Sequence, residues 1–309
     1  MGIRAKIALV AAAFLVGLGA SLLLDRIRPP RPQPVGDTEG AGEGPGYRYE
    51  RVICMSPAVS EIVFAIGAGD RVVGVSQHTQ YPPEAVAKPT CGGFVNPNYE
   101  RIVALDPDLI LSQGRAEDLK RFAVERGIAF TALPLTDLES IFDVIRQAGE
   151  LLQIEAQAEL LASEMRYELA QVRARVSERP AARVLLVTWR QTGTLSAINT
   201  VGSGSFLNGL LEAAGGRNVF GDLERAYATV SKEALVQREP EVIVELHGEG
   251  GDHARLLRQV RGMWAGLPSL PAVRAGRIHV VESTYALIPG PRVVNLAERL
   301  ARVIHGEGG

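Results

Sequence analysis

The stretch Asn98-Tyr99-Glu100-Arg101-Ile102-Val103-Ala104-Leu105-Asp106-Pro107-Asp108-Leu109-Ile110-Leu111 returns later in the chain as Ser231-Lys232-Glu233-Ala234-Leu235-Val236-Gln237-Arg238-Glu239-Pro240-Glu241-Val242-Ile243-Val244. Each copy reads as a capping residue, a glutamate two places on, a short helix, an acid-Pro-acid turn and a buried strand. The two superpose without a gap. A weaker echo precedes each copy, Gly69-Asp70-Arg71-Val72-Val73-Gly74 and Gly215-Gly216-Arg217-Asn218-Val219-Phe220-Gly221. Two pairings in the same order imply two similarly built lobes.

Outward from these copies the pattern is β-α-β. Val52-Ile53-Cys54 is a predicted strand, and Val59, Ile62, Val63 and Ile66 have the spacing of one helix face. Ser56 suits the cap of that helix, Pro57 its first turn and Gly67 its end. Val72-Val73-Gly74-Val75 and Leu109-Ile110-Leu111 are further strands. Leu138, Ile141, Val144, Ile145 and Ala148 then mark one helix face, and Ala158, Leu161, Met165, Leu169 and Val172 another. Arg183-Val184-Leu185-Leu186-Val187 restarts the alternation. The expected fold is α/β, two Rossmann-like lobes with central sheets joined by one long rigid helix. At 309 residues the chain has room for two domains with separate cores. The lobes are assigned to 49–152 and 179–309, with the connecting backbone helix at 153–178. A single helix between the lobes implies small closing motions about the cleft.

The first residues lie outside that fold. Arg4 and Lys6 precede an apolar run from Ile7 to Leu24, as an export signal requires. The run is long enough to stay as an anchor. No cysteine follows it, which excludes a bacterial lipoprotein signal, and Arg26, Arg28 and Arg31 follow where positive charge is unusual. Residues 1–27 are therefore a signal peptide or N-terminal membrane anchor. Residues 28–48, with Pro30, Pro32, Pro34, Gly40, Gly42, Gly44 and Gly46, are a Pro/Gly-rich tether. The expected location is periplasmic or extracytoplasmic, tethered to the inner membrane, and the expected state is a monomer.

The formal net charge of −2, with 22% charged and 6% aromatic residues, provides no basic field for nucleic acid. Cys54 and Cys91 could pair in an oxidising compartment or serve as two small buried hydrophobes. There is no HExxH, GxSxG or P-loop, so no enzyme signature is present. Gly202-Ser203-Gly204-Ser205 opens a helix and could hold an anion on backbone N–H groups, or be a plain N-cap.

From Tyr49 to His305 the chain resembles the helical-backbone (class III) periplasmic binding proteins for vitamin B12, ferric siderophores and haem. The marks are Ser56-Pro57-Ala58-Val59-Ser60-Glu61, Gly67-Ala68-Gly69-Asp70-Arg71-Val72-Val73-Gly74-Val75, Tyr81-Pro82-Pro83-Glu84-Ala85 and Gly92-Gly93-Phe94-Val95-Asn96-Pro97-Asn98. Ala213-Ala214-Gly215-Gly216 and Gly290-Pro291-Arg292 continue them in the second half. The resemblance is nearest to vitamin B12-binding proteins. It implies an ABC importer as partner, with Glu100 and Glu233 on the lobe tops meeting arginines of the permease subunits. A first-turn acid also complements a helix macrodipole without any partner. No resident cofactor is implied, and the ligand is a small metal chelate, a cobalt corrinoid or an iron chelate.

Ligands of open α/β lobes bind beyond the carboxyl ends of the strands. The candidate ligand-binding residues there are His78, Tyr81, Phe94, Trp189, Tyr227, Thr284, Tyr285, Ala286, Leu287 and Ile288. Aromatic rings suit a corrin, porphyrin or catecholate face. His78 stands where the resemblance places a ligand-contacting aromatic, and Gln113 where it places another. His78 could be an axial ligand to cobalt or iron, or a hydrogen-bonding loop histidine. His78 and His247 are too few for a bare zinc or manganese site. Arg115, Arg190 and Arg225 could hold an anionic siderophore or be solvated loop charges. A membrane-tethered sensor or scaffold on the same fold is the reading of another class.

Overall fold

Apolar triplets and quartets become the inner strands of two sheets. The computed structural model describes residues 48–306. The export segment and all of the tether except Arg48 lie outside the described residues.

The first sheet has strands β1 (Val52–Cys54), β2 (Val72–Val75), β3 (Leu109–Gln113) and β4 (Ala129–Leu133), all parallel, in the order β2-β1-β3-β4. Helix α1 (Pro57–Ala65) follows β1. Ser56 caps it, its hydroxyl accepting from Val59 N at 3.1 Å, and Gly67 turns away at φ 89°. Helices α2 (Pro83–Val86), α3 (Tyr99–Leu105) and α4 (Glu117–Glu125) complete this lobe.

The second sheet differs from the first. Its strands are β5 (Ala182–Trp189), β6 (Ile198–Val201), β7 (Gly216–Asn218), β8 (Tyr227–Val230), β9 (Val242–His247) and β10 (Ile278–Glu282). The order is β10-β9-β5-β6-β8, with β7 beside the start of β5. β9 and β10 run parallel to β5, whereas β6 runs antiparallel to β5 and β8 antiparallel to β6. A parallel crossover takes a dozen residues or more, and the link from Trp189 to Ile198 is too short for one. This lobe's helices are α7 (Phe206–Ala213), α8 (Lys232–Arg238), α9 (His253–Trp264), α10 (Pro271–Arg274) and α11 (Val293–His305).

The sequence repeat is a repeat of structure. Helices α3 and α8 are each seven residues long. Asn98 and Ser231 cap them, accepting from Arg101 N at 2.9 Å and Ala234 N at 3.2 Å. Both helices end on a left-handed acid, Asp106 at φ 46° and Glu239 at φ 42°. The second acid of each turn then ties the unit to the neighbouring strand. The Asp108 carboxylate accepts from Glu50 N and Arg51 N at 2.9 and 3.0 Å, and that of Glu241 from Arg183 N at 2.9 Å. The side chain of Arg51 donates to Leu105 O at 2.6 Å, and that of Arg183 to the equivalent carbonyl, Arg238 O. One arginine per lobe thus satisfies a helix-end carbonyl that lacks an intrahelical partner.

The stretch between the lobes is a helical hairpin, α5 (Leu138–Leu151) and α6 (Glu155–Val176), turning at Gln153 with φ 53°. All five predicted core positions of α5 are buried, as are those of α6 except half-buried Leu161. A Cβ on Gly149 would lie 2.4 Å from Ala158 Cβ, so only glycine allows this approach. Helix α5 also packs across to the second lobe, where Gly209 faces Leu138 and Phe206 N donates to Thr136 O at 2.9 Å.

The inner cores of the two lobes are continuous. One continuous apolar cluster takes in Ile62 of α1, Leu111 of β3, Ile145 of α5, Leu169 of α6, Leu186 of β5, Leu211 of α7 and Leu300 of α11. Only the outer faces of the sheets have clusters of their own, around Ile53 and Ile110 in the first and Leu185, Ile243 and Trp264 in the second. The helices shared between the lobes have apolar faces toward both, so the inner cores fuse.

Cys54 and Cys91 are both free and buried. Side chains alternate across a strand, and Cys54 faces the shared core while Cys91 lies on the opposite face with Ile53 and Ile102. Its Sγ sits over Gly74, 2.6 Å from where a Cβ would be. Burial raises both thiol pKa values, that of Cys91 to about 11. They are the two small hydrophobes of the alternative reading.

Candidate functional site

The base of the cleft is closed by an ion pair between lobes. Glu61, midway along α1, accepts from Arg292 Nε at 2.9 Å and Nη2 at 2.6 Å, in the bidentate geometry that an arginine fork favours. The carboxylate side chain is 2% exposed and the guanidinium 16%. Burial raises the Glu61 carboxyl, and the arginine only partly opposes this. Gly290 leaves room for the pair, since a Cβ there would lie 3.2 Å from Glu61 Oε2. The Arg292 guanidinium also lies 4.2 Å from the Tyr81 ring centroid and 4.7 Å from that of Tyr285, one tyrosine from each lobe.

Beyond this latch lies a cavity of about 1010 Å³. Gln80 reaches it from the first lobe; Trp189, His247, Glu249, Thr284, Ala286 and Leu287 line it from the second, with Leu256 and Met263 of α9. Large apolar side chains stand unburied at strand ends and on loops of the two lobes. Phe94, Tyr227, Tyr81, Leu287, Trp189 and Val95 range from 42% to 91% exposed. Ala286 packs into the shared core, and Ile288 is half-buried against it. Phe94 and Tyr227 stand outside the lining of this cavity.

The wall of the cavity contains a network that the sequence reading missed. Glu245, 2% exposed at its side chain, accepts from Arg190 Nε at 2.7 Å and Trp264 Nε1 at 2.6 Å, and bonds His247 Nε2 at 2.9 Å. Burial alone would raise the Glu245 carboxyl, but its partners His247, Arg190 and Trp264 together hold it below the ordinary range. Arg190 also donates to Thr194 O at 3.1 Å and is buried. It is therefore neither a solvated loop charge nor an open anion holder. The available signal was Glu245 itself, an acid inside the apolar run Val242-Ile243-Val244-Glu245-Leu246.

His78 stands exposed, its Nε2 3.3 Å from the Gln77 amide and its ring against Gly93. Arg115 and Arg225 are exposed on different lobes. Among the described residues no three His, Cys, Asp or Glu side chains stand together to hold an ion. The Gly202–Ser205 run is an N-cap and a close approach. Ser205 accepts from Leu207 N at 3.3 Å, and a Cβ on Gly202 would lie 2.2 Å from Arg225 O. Glu100 and Glu233 are exposed in the first turns of α3 and α8. The backbone N–H of Glu233 and the Ser231 hydroxyl hold the Glu233 carboxyl below its ordinary range.

Two α/β lobes on a helical backbone, tied by an ion pair beside an open cavity, have the form of a solute-binding protein. The chain belongs to the periplasmic binding protein family, whose pattern it matches over residues 52–285. It is 30% identical over 260 residues to the vitamin B12-binding protein of Salmonella typhimurium, covering 84% of this chain and 91% of that one. Its fold superposes on the periplasmic vitamin B12-binding protein of Vibrio cholerae with a TM-score of 0.69 at 25% identity, over 83% of this chain and 97% of that one. A periplasmic haem-binding protein from a Roseiflexus species gives 0.68 at 27% identity, over 83% and 98%. Binding proteins of this kind hold transported ligands and carry no cofactor.

The two buried acids have opposite pH linkage. Glu245 lies below the ordinary carboxylate range of about 4 to 4.5, so its contribution to stability is present above the unfolded-state pKa and lost as pH falls through the folded one. Glu61 lies above that range, so its contribution falls as pH rises through its folded pKa. Glu245→Gln is expected to destabilise the chain at neutral pH by about 1–3 kcal/mol and to flatten the decline in melting temperature below about pH 4.5. A variant whose melting temperature parallels the wild type throughout that range contradicts the assignment.

Proposed function

We propose that this chain is the extracytoplasmic substrate-binding component of an ABC importer, taking cobalamin or a related corrinoid between its lobes and delivering it to the permease. The observation that carries this is the cavity, large, lined in part by Trp189, Leu256, Met263 and Leu287, and with the one arginine of its described lining, Arg190, committed to Glu245. Such a site suits a bulky, flat, largely uncharged ligand better than a bare ion or a strongly anionic chelate. The vitamin B12-binding relatives agree with this choice. Haem or a ferric siderophore is the second reading, favoured by haem-binding proteins among the structural neighbours.

Candidate contacts are Trp189, Thr284, Ala286, Leu287 and Ile288 from the second lobe, with Tyr81, Tyr285, His78, Phe94 and Tyr227 about the opening. Glu100 and Glu233 dock the permease. Support comes from their equivalent places in the first turns of two similarly clasped helices. Exposed ion pairs are individually weak, so this pair sets register more than affinity. The N-terminal apolar run keeps the protein outside the inner membrane and beside its permease, and the chain acts as a monomer.

The test is visible absorbance and thermal shift of the full-length chain in detergent with cobalamin, haem and a ferric siderophore. Cobalamin is expected to stabilise the chain by about 2.7 kcal/mol at a hundredfold excess over Kd. A response to the siderophore with none to corrins overturns the choice of ligand. Reversing both docking acids, Glu100→Arg with Glu233→Arg, is expected to abolish cellular uptake while leaving ligand affinity unchanged. Full uptake by the double variant contradicts the docking role.

A further inference from the structure

The cavity has one side chain built to reach a metal. Among the described residues no cluster could hold a bare ion, so a metal in the cleft must arrive already chelated. A planar chelate leaves its axial positions open, and a single protein donor suffices to fill one. His247 is the last residue of β9 and lines the cavity, with its side chain 29% exposed. Glu245 lies two residues back on the same strand face, and its carboxylate bonds His247 Nε2 at 2.9 Å. That carboxylate is itself held by Arg190 and Trp264, so the imidazole is braced from behind.

An ionised carboxylate on Nε2 keeps the proton there and leaves Nδ1 as the basic nitrogen. Nδ1 makes no hydrogen bond among the described residues. A carboxylate behind one ring nitrogen and an open second nitrogen is the arrangement of metal-ligating histidines. His78, the other candidate, has only the Gln77 amide beside it.

We propose that His247, through Nδ1, is the axial ligand to the metal of a planar chelate held in the cleft, with Glu245 as its positioning residue. This rests on the corrinoid reading above and deepens it. With aquacobalamin the cobalt(III)–water bond breaks, a cobalt–Nδ1 bond forms and one water leaves. An imidazole whose one ring proton sits on Nε2 has its lone pair on Nδ1, so with that tautomer no electron or proton moves.

The test is the visible spectrum and affinity of the full-length chain in detergent with aquacobalamin, and with cyanocobalamin as the control in which cyanide holds the exchangeable axial position. Wild type and His78→Ala are expected to shift the aquacobalamin bands to those of an imidazole-ligated corrinoid. His247→Ala and His247→Gln are expected to lose the shift and about 10- to 100-fold in aquacobalamin affinity, and to lose much less in cyanocobalamin affinity. The Gln variant can keep a hydrogen bond to Glu245, which separates ligation from folding. Glu245→Gln is expected to weaken aquacobalamin binding more than cyanocobalamin binding. A shift that survives both His247 variants, is lost in His78→Ala, or is absent from a wild type that binds both cobalamins overturns this inference alone. Failure of the wild type to bind either cobalamin overturns it together with the corrinoid reading.

Discussion

The bidentate pair between Glu61 and Arg292 is the contact through which one lobe knows where the other is. Buried ion pairs add little net stability, because desolvating two charges consumes most of their attraction. Breaking one is another matter, leaving a buried charge at a cost of about 3–5 kcal/mol. The pair therefore acts on geometry, since each carboxylate oxygen has its own guanidinium nitrogen at 2.9 or 2.6 Å. Tyr81 and Tyr285 cover the guanidinium from both lobes, and Gly290 gives the carboxylate its space. The cavity and helices α3 and α8 inherit their spacing from this point and from the fused core around α5, α6, α7 and α11.

Within each lobe a second constraint repeats. An arginine at the start of the first strand ties down the end of a seven-residue helix, and an acid after the helix ties down the start of that strand. The sheets they anchor differ, one wholly parallel and one mixed. The equivalent helices nevertheless lead into the strands that follow them in the same manner. Within β9 the second lobe also has the Glu245 network, which the first lacks.

Features determined by neighbours in sequence were legible in advance. The Ser56, Asn98 and Ser231 caps, the apolar faces of α1 and α5 and the acid-Pro-acid turns are all local, and each stands as read. What was not legible depends on partners far apart. Glu61 and Arg292 are 231 positions apart, Arg190 and Glu245 are 55, and Trp264 and Glu245 are 19. Nothing in the local pattern of Arg190 distinguishes a loop charge from a buried partner. The cysteines failed for a related reason, since adjacency was readable but the face each occupies was not. The shared core was missed because a helix with apolar residues toward both lobes looks, one face at a time, like a helix belonging to either.

The central claim is that the latch holds the two lobes at one spacing around the cleft. It is tested most directly by the distance between spin labels at Val103→Cys and Val236→Cys, exposed and equivalent positions on α3 and α8. Cys54 and Cys91 are buried thiols with raised pKa values and stay unlabelled under mild conditions. The account predicts one narrow distance, little changed by cobalamin, that broadens when Arg292→Leu breaks the pair. Two well-separated distances exchanging with ligand, or an Arg292→Leu distribution indistinguishable from that of the intact pair, would contradict it.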